Sequence, residues 1–330
     1  MQVRDAIYRQ IMEGKYQAGS TIHSEPELVN IFGVSKMTIR QALTELENEG
    51  LLYRKQGVGT FVNDLSTAGV SRITVILPGV AQVAKQGTMF KIIHGVLEEA
   101  YSCGIALSIY AAEQYDPWKI PQHSGGVIFP TPNAELMTEA EEMARGGYRV
   151  VVINREMDCP ELSFFTTDHR RSAEIGTEFL IGRGRRRIAS VGVMEQRHQL
   201  ARLAGWRETL KRHGLEGGEV EMEPLETFVD EKQAIETLSG ADAVLVTEGR
   251  LLPLTVKTLV KLGRKIPEDV EIVTFNRIEK DIPFAGFIHE LVEPLEEYGR
   301  LAVRQFIEGG GHQVGRRFEA VLNIKQPPLA

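Results

Sequence analysis

Apolar residues in the first fifty positions recur three and four apart. Ile7, Ile11 and Met12 fall on one face of a segment from about Val3 to Glu13, the period of a helix, and Gly14 and Gly19 punctuate the stretch after it. "SEPEL" then carries the signs of a second helix start, with Ser24 as cap, Glu27 three residues on, and Pro26 in the first turn, where its missing N–H costs nothing. Gly33 stops this helix near Phe32. Ser35 caps a third helix whose apolar stripe is Ile39, Ala42, Leu43 and Leu46, and Gly50 closes it as a left-handed cap. Beyond Gly50 the period drops to two. "LLYRKQGVGTFV" alternates around its glycines and predicts two short strands with Gln56, Gly57 and Gly59 at the tip.

From Asn63 to Arg72 the chain is small and polar with no apolar period, which reads as a linker. After it the pattern changes again. Apolar runs such as "RITVILP", "GGVIFP", "RVVVIN", "RIASVG", "AVLVTE" and "VEIVTF" alternate with helical stretches, among them residues 90–101, 133–145, 170–180, 199–213, 252–262 and 295–307. Continuous β-branched runs separated by helices predict parallel sheets covered on both faces. About 250 such residues without an internal repeat fit two doubly wound lobes better than one barrel. The expected division is residues 1–64, a linker at 65–71, and 72–330, the last as two lobes of 72–167 with 293–316 and 168–292 with 317–330.

Composition narrows the function classes. A chain of 330 residues with 42% hydrophobic and 25% charged content is an ordinary globular composition. The N-terminus lacks the apolar core of a leader, and no stretch approaches the roughly 18 apolar residues of a membrane helix, so a cytoplasmic protein is expected. Cys103 and Cys159 stand in no metal-binding spacing and read as buried fillers, so no metal and no disulfide framework is predicted. Net charge is -7, and residues 1–64 hold seven Lys/Arg against eight Asp/Glu, so the total gives no vote for nucleic acid. Placement does. Ser35, Lys36, Thr38 and Arg40 gather at the start of the third helix, where the dipole is positive, while Glu45, Glu47 and Glu49 lie toward its end. Two helices joined by a short Gly-containing turn form a helix-turn-helix, which presents that end to the major groove. The hairpin then forms a wing able to lay Arg54, Lys55 and Gln56 against DNA.

Residues 3–63 resemble the winged helix-turn-helix of the GntR family in Ser24-Glu25, Glu27-Leu28, Phe32-Gly33-Val34-Ser35-Lys36, Thr38-Ile39-Arg40, Ala42-Leu43, Glu49-Gly50-Leu51 and Gly59-Thr60-Phe61-Val62. The resemblance implies DNA contacts by Ser35, Lys36, Thr38, Arg40, Gln56 and Gly57. Lys36 stands where the family has Arg and lacks the bidentate fork for guanine, so altered readout is expected there.

Polar residues come after the strands of the remaining chain: Thr131, Asn154 and Arg155, Asp168, Glu248, Asn276 and Arg277, and beyond "FIH" Glu290 and Glu293. In parallel sheets ligands gather at these carboxyl ends, and this mixture of donors and acceptors suits a small polyhydroxylated ligand. Arg155 can fork onto two hydroxyls or a carboxylate. Residues 73–326 resemble the LacI/GalR effector domain, itself similar to periplasmic sugar-binding proteins, in "TTDHRRSAEIGTEFLIGRGRRRIASVG", "RLAGWRETLKRHG", "AVLVTEG" and "KIPEDVEIVTFNR". That resemblance implies effector contacts by Arg202 and Arg155, and a cleft formed with Thr131, Asp168, Glu248, Asn276 and Glu293. Phe90 is either core or a ring for a sugar face. Trp206 reads as core. Glu248-Gly249, Asn276-Arg277 and His169 depart from the family pattern, which implies a different hydroxyl pattern or a non-sugar ligand. "GRGRRR" (182–187) lacks the phosphate-loop pattern and reads as a helix-to-strand turn with solvated arginines.

A GntR reader joined to a LacI-type sensor resembles the architecture of arabinose-responsive repressors. The expectation is an α/β chain, with a winged helix-turn-helix and a periplasmic-binding-protein-like domain of two doubly wound lobes. It would act as a ligand-responsive repressor of carbohydrate genes, a homodimer with operator DNA and a small effector as partners, no cofactor and no catalytic residue. The alternative is a DNA-binding regulator with a non-sugar effector or a non-sensing effector domain, and less readily an enzyme fused to a DNA-binding module. A fused aminotransferase would need a longer domain and a placed lysine.

Overall fold

The computed structural model describes residues 3–12, 15–17, 19–48, 51–55, 57–62, 70–79, 87–114, 120, 125–193, 197–222, 227–276, 282–308 and 313–325. Gly14, Gly50, Gln56 and Arg277 lie outside them. Three helices open the chain, α1 (Val3–Met12), α2 (Glu25–Phe32) and α3 (Lys36–Asn48), followed by the hairpin β1 (Leu52–Lys55) and β2 (Gly59–Val62). Ile7, Ile11, Leu28, Ile39, Ala42, Leu43 and Leu46 are all buried in one cluster with Leu51, Leu52 and Val62, so the helical stripes and the hairpin's inner face share a core. The Glu27 carboxylate accepts both the backbone N–H and the hydroxyl of Ser24, at 2.7 Å each, which holds it below its ordinary range. Gly33 ends α2 in the left-handed region (φ 64) with its N–H on the carbonyl of Val29, a conformation that spares only glycine a steric cost. The turn to α3 is therefore three residues, Gly33 to Ser35. Ser20 and Ile22 add backbone bonds to Val62 and Thr60, which extends the wing by a third extended segment.

Contacts divide the chain into two units, Met1–Phe165 with Leu295–Gly315, and Thr166–Pro294 with Arg316–Ala330. The first holds β3 (Arg72–Leu77), α4 (Gly87–Ser102), β4 (Ala106–Ala111), β5 (Val127–Pro130), α5 (Ala134–Arg145), β6 (Val150–Ile153) and the start of β7 (Ser163–Thr167). The second continues with α6 (His169–Gly182), β8 (Ile188–Gly192), α7 (Arg197–Arg212), β9 (Glu219–Glu221), α8 (Glu231–Gly240), β10 (Ala243–Val246), α9 (Leu252–Lys261), β11 (Glu271–Phe275) and β12 (His289–Val292). Helix α10 (Leu295–Glu308) returns to the first unit, and β13 (Gly315–Phe318) and β14 (Val321–Asn323) close the chain. Among the described residues the strands form two six-stranded sheets, ordered β13-β7-β6-β5-β3-β4 and β14-β12-β11-β10-β8-β9. β3 to β7 pair in parallel, as do β8 to β12, while β14 runs antiparallel on β12. The two sheets repeat one topology, β3 corresponding to β8, β5 to β10 and β6 to β11. No sequence repeat betrays it, because packing asks only for apolar residues of suitable shape.

Two-sided burial explains the unbroken apolar runs. In β10, Val244 and Val246 pack with Ala234, Leu238 and Val256, whereas Ala243 and Leu245 pack with Ala173, Trp206 and Leu210. Trp206 is core, 1% exposed. Helices cover the sheets at close range where glycine allows it. A Cβ on Gly95 would lie 1.9 Å from the carbonyl oxygen of Glu296, and one on Gly205 would lie 2.2 Å from that of Arg170.

Three expectations need correction. Cys103 is exposed at the end of α4, although Cys159 is buried as expected. The "GRGRRR" segment is a turn with Arg183, Arg186 and Arg187 exposed as expected, but Arg185 is partly covered, and Arg183 and Arg185 each reach the buried Glu271 at 3.0 Å while Arg187 caps the carbonyl of Gly240. β9, β13 and β14 add to the expected strands, because edge strands of three or four residues are too short to show a period.

Candidate functional site

The exposed end of α3 is built by its own cap. Ser35 Oγ accepts the backbone N–H of Thr38 at 3.2 Å and lies 2.9 Å from the Thr38 hydroxyl, so both hydroxyls are fixed at the positive pole of the helix. Arg40 donates its Nε to Glu25 at 2.9 Å, and Lys36 Nζ stands 3.9 Å from the same carboxylate. Both cations remain more than half exposed, with side-chain exposures of 56% and 61%. Glu25 thus steadies them without hiding them, and an exposed pair of this kind costs little to break. On the wing, Tyr53 and Phe61 stack at 5.4 Å and the Lys55 ammonium lies over both rings. Gly57 takes φ 76 at the tip, the left-handed turn that lets the strands reverse in three residues. Arg54 is 3.4 Å from Glu47 and partly exposed. Of the predicted DNA-facing residues, Ser35, Lys36, Thr38 and Arg40 lie together at one helix end, Arg54 and Gly57 lie on the wing, and Gln56 lies outside the described residues.

In the first sheet, the strand ends carry a distinctive backbone. Thr131 and Asn154 come after β5 and β6 with φ of 47 and 61, and their N–H groups bond to Ile153 and Phe165 on the next strand. A β-branched residue at positive φ is uncommon, and such conformations concentrate where ligands bind. Thr131 Oγ1 reaches the sulfur of Met89 at 3.7 Å, beside Phe90, which is 61% exposed and therefore not core. Arg155 turns its Nη1 onto the carbonyl of Asn154 at 2.8 Å.

The second sheet repeats the device and adds a charged network. Asn276 comes after β11 at φ 69 with its N–H on Leu291. Asp168 caps α6 by accepting the N–H of Arg171 at 2.9 Å, which places His169 in the first turn. Arg202, 2% exposed, stands 3.1 Å from Glu293, 3.1 Å from His169 Nδ1, and 3.9 Å above the Phe275 ring, and donates to the carbonyl of Thr247. Gln199, one turn before Arg202 on α7, bridges the Thr247 hydroxyl and Glu248, with 2.9 Å to the latter. Glu248 also takes Arg250 at 2.9 Å, and His198 lies 5.4 Å from His169 ring to ring. Arg202, Glu248, Asn276 and Glu293 therefore gather at the carboxyl ends of the second sheet, Phe90, Thr131 and Arg155 at those of the first, and Asp168 follows β7 of the first sheet and opens α6. His169, which the sequence marks as a departure from the family pattern, joins the network, and so do His198, Gln199 and Thr247, which the sequence does not mark. A signal for Gln199 was available, since it precedes Arg202 by three residues and so lies on the same helix face. Such a constellation, acceptor-rich and with its guanidinium already compensated, can hold hydroxyl groups in a fixed pattern.

Known proteins resemble both parts of the chain. The family pattern described as bacterial regulatory proteins of the gntR family matches residues 1–62, and that of a periplasmic binding protein-like domain matches residues 177–313. The chain is 26% identical over 309 residues to an arabinose metabolism transcriptional repressor of Geobacillus stearothermophilus, covering 84% of this chain and 81% of that one. It is 48% identical over 62 residues to the HTH-type transcriptional repressor NagR of Bacillus subtilis (strain 168), covering 19% of this chain and 26% of that one. Among solved structures, the transcriptional regulator CelR in complex with cellobiose superposes with a TM-score of 0.59 at 18% identity, covering 88% of this chain and 90% of that one. A dimeric Lac repressor does so with a TM-score of 0.60 at 17% identity, covering 76% and 96%. At these identities the structural likeness speaks for the fold.

Proposed function

We infer, from a chain that joins a GntR-type DNA-binding domain to a periplasmic-binding-protein-like domain, that it is a sugar-responsive transcriptional repressor of carbohydrate-utilisation genes. One observation carries the reading: a helix end that presents Ser35, Lys36, Thr38 and Arg40 is followed, in the same chain, by two sheets whose carboxyl ends gather hydrogen-bonding side chains. The protein acts by binding and not by catalysis. Its functional divisions are residues 1–64 for DNA, 65–71 as a linker and 72–330 for the effector, with lobes of 72–167 plus 293–316 and 168–292 plus 317–330.

Operator contacts fall to Ser35, Lys36, Thr38, Arg40, Arg54, Gln56 and Gly57. The effector is held by Phe90, Thr131, Arg155, Asp168, Arg202, Glu248, Asn276 and Glu293. Two half-sites call for two readers, so the working form is a homodimer. Leu97 and Tyr101, exposed on α4 at helical spacing beside the edge strand β4, offer it an apolar face. Effector and operator are coupled only if the effector discriminates between two states of the sensor. The protein works in the cytoplasm, where its operator is.

The test is a thermal-shift screen against pentoses, hexoses, sugar acids and nucleosides, followed by operator binding with each compound that shifts the transition. One sugar that raises the melting temperature and changes operator affinity supports the reading. DNA binding with no response to any sugar would leave a regulator of a non-sugar effector or one whose effector domain no longer senses.

A further inference from the structure

The reading face of α3 is not centred on its cations. At about 100° per residue, the buried Ile39, Ala42, Leu43 and Leu46 define one side of the helix, and Met37, Gln41 and Thr44 lie within about 30° of the opposite direction. Lys36 and Arg40 stand to one flank, both turned toward Glu25. Gln41 bonds along the helix to Glu45 at 3.2 Å. Met37 is 75% exposed in the first turn, among the most exposed large apolar side chains described. A flexible thioether standing free between Lys36 and Thr38, on a surface otherwise built to meet phosphate, has no folding role to explain it.

We propose that Met37 is a specificity-determining residue that reads a thymine through its C5-methyl group. The inference rests on the DNA-binding function proposed above. The thymine methyl is the one apolar feature of the major-groove base edges. A side chain that enters the groove at the first turn of α3, flanked by phosphate-seeking cations, meets that edge without leaving a polar group unpaired. The same position filled by a charged or amide residue would favour a different base, so Met37 would fix an A·T pair.

The test uses the full chain. Preferred duplexes are selected from a randomised pool, and each thymine of the selected site is then replaced singly by deoxyuridine, which removes the methyl and nothing else. The wild-type chain is expected to lose about fourfold in affinity at one thymine of each half-site, the transfer value of one methyl group. Met37→Ala should bind the unmodified site more weakly and show no loss at that thymine, and Met37→Leu should restore part of the discrimination. A circular dichroism melt checks that both variants fold. If every deoxyuridine replacement affects wild type and Met37→Ala equally, the assignment is wrong while DNA binding stands. If no duplex is selected at all, the DNA-binding reading fails and the assignment fails with it.

Discussion

Replacing Glu293 by Gln isolates the charge that compensates Arg202. The two groups stand 3.1 Å apart and are 5% and 2% exposed. At that separation and an effective dielectric of about 20, their Coulomb attraction is about 5 kcal/mol. Gln keeps the shape and an acceptor oxygen, and Arg202 retains the Thr247 carbonyl and the Phe275 ring, so the expected loss is toward the lower end of the range for breaking a buried pair, about 3 kcal/mol. Trp206 is buried in the cluster on the same side of the second sheet, so its fluorescence during urea unfolding, in a Trp118→Phe background, reports on this unit. Combining Glu293→Gln with Arg202→Met removes the stranded charge as well as its partner. The double variant should therefore lose less than the sum of the two single ones. A Glu293→Gln loss below about 1 kcal/mol, or strict additivity in the double variant, would show that the pair is not a compensated buried charge.

Four further outcomes are expected. Arg40→Ala should abolish selection of a specific duplex while leaving the melting temperature nearly unchanged, because Arg40 is itself more than half exposed and its pair with Glu25 adds little to stability; gel shift and a melt read the two effects. Arg155→Ala should retain operator affinity and lose the response to the effector found by thermal shift, and a normal response would place the effector elsewhere. Gly95→Ala should lower stability by at least about 2 kcal/mol, since its Cβ would stand 1.9 Å from a carbonyl oxygen, and a melt that shifts by less than a degree would contradict the close helix approach. Acid should destabilise the second unit in two steps. Burial pushes His289 below its ordinary value of 6.5, and its Nδ1 accepts the N–H of Lys325, which requires the neutral ring. A depressed histidine pKa contributes stability above about pH 6.5 that is lost as pH falls through the folded value. Burial raises Glu271, but hydrogen bonds from Arg185, His289 and Arg183 outweigh it and hold the group low, so its contribution is lost below about pH 4.5. His289→Gln should flatten the first step in a pH series of Trp206-monitored unfolding, and an unchanged slope would remove His289 from the account.

Local chemistry alone determined the N-terminal domain. Ser24, Pro26, Gly33 and Ser35 act on backbone groups within four residues of themselves, so both ends of α2, the turn, the start of α3 and the two strands of the wing were legible in the string. The same holds for the apolar runs of the sheets, because burial on two faces leaves a continuous signature. Strand ends could be named from the sequence, but which of them share a sheet edge depends on pairing between segments as distant as β8 and β10. Only the tertiary structure set Arg202 against Glu293, 91 positions away, or bonded the turn arginines to Glu271 across 86 and 88. It also revealed that Met37, polar-flanked and unremarked in the string, lies opposite the core. Exposure is a property of the folded surface, and a sequence records which residues are apolar but not which of them the fold leaves uncovered.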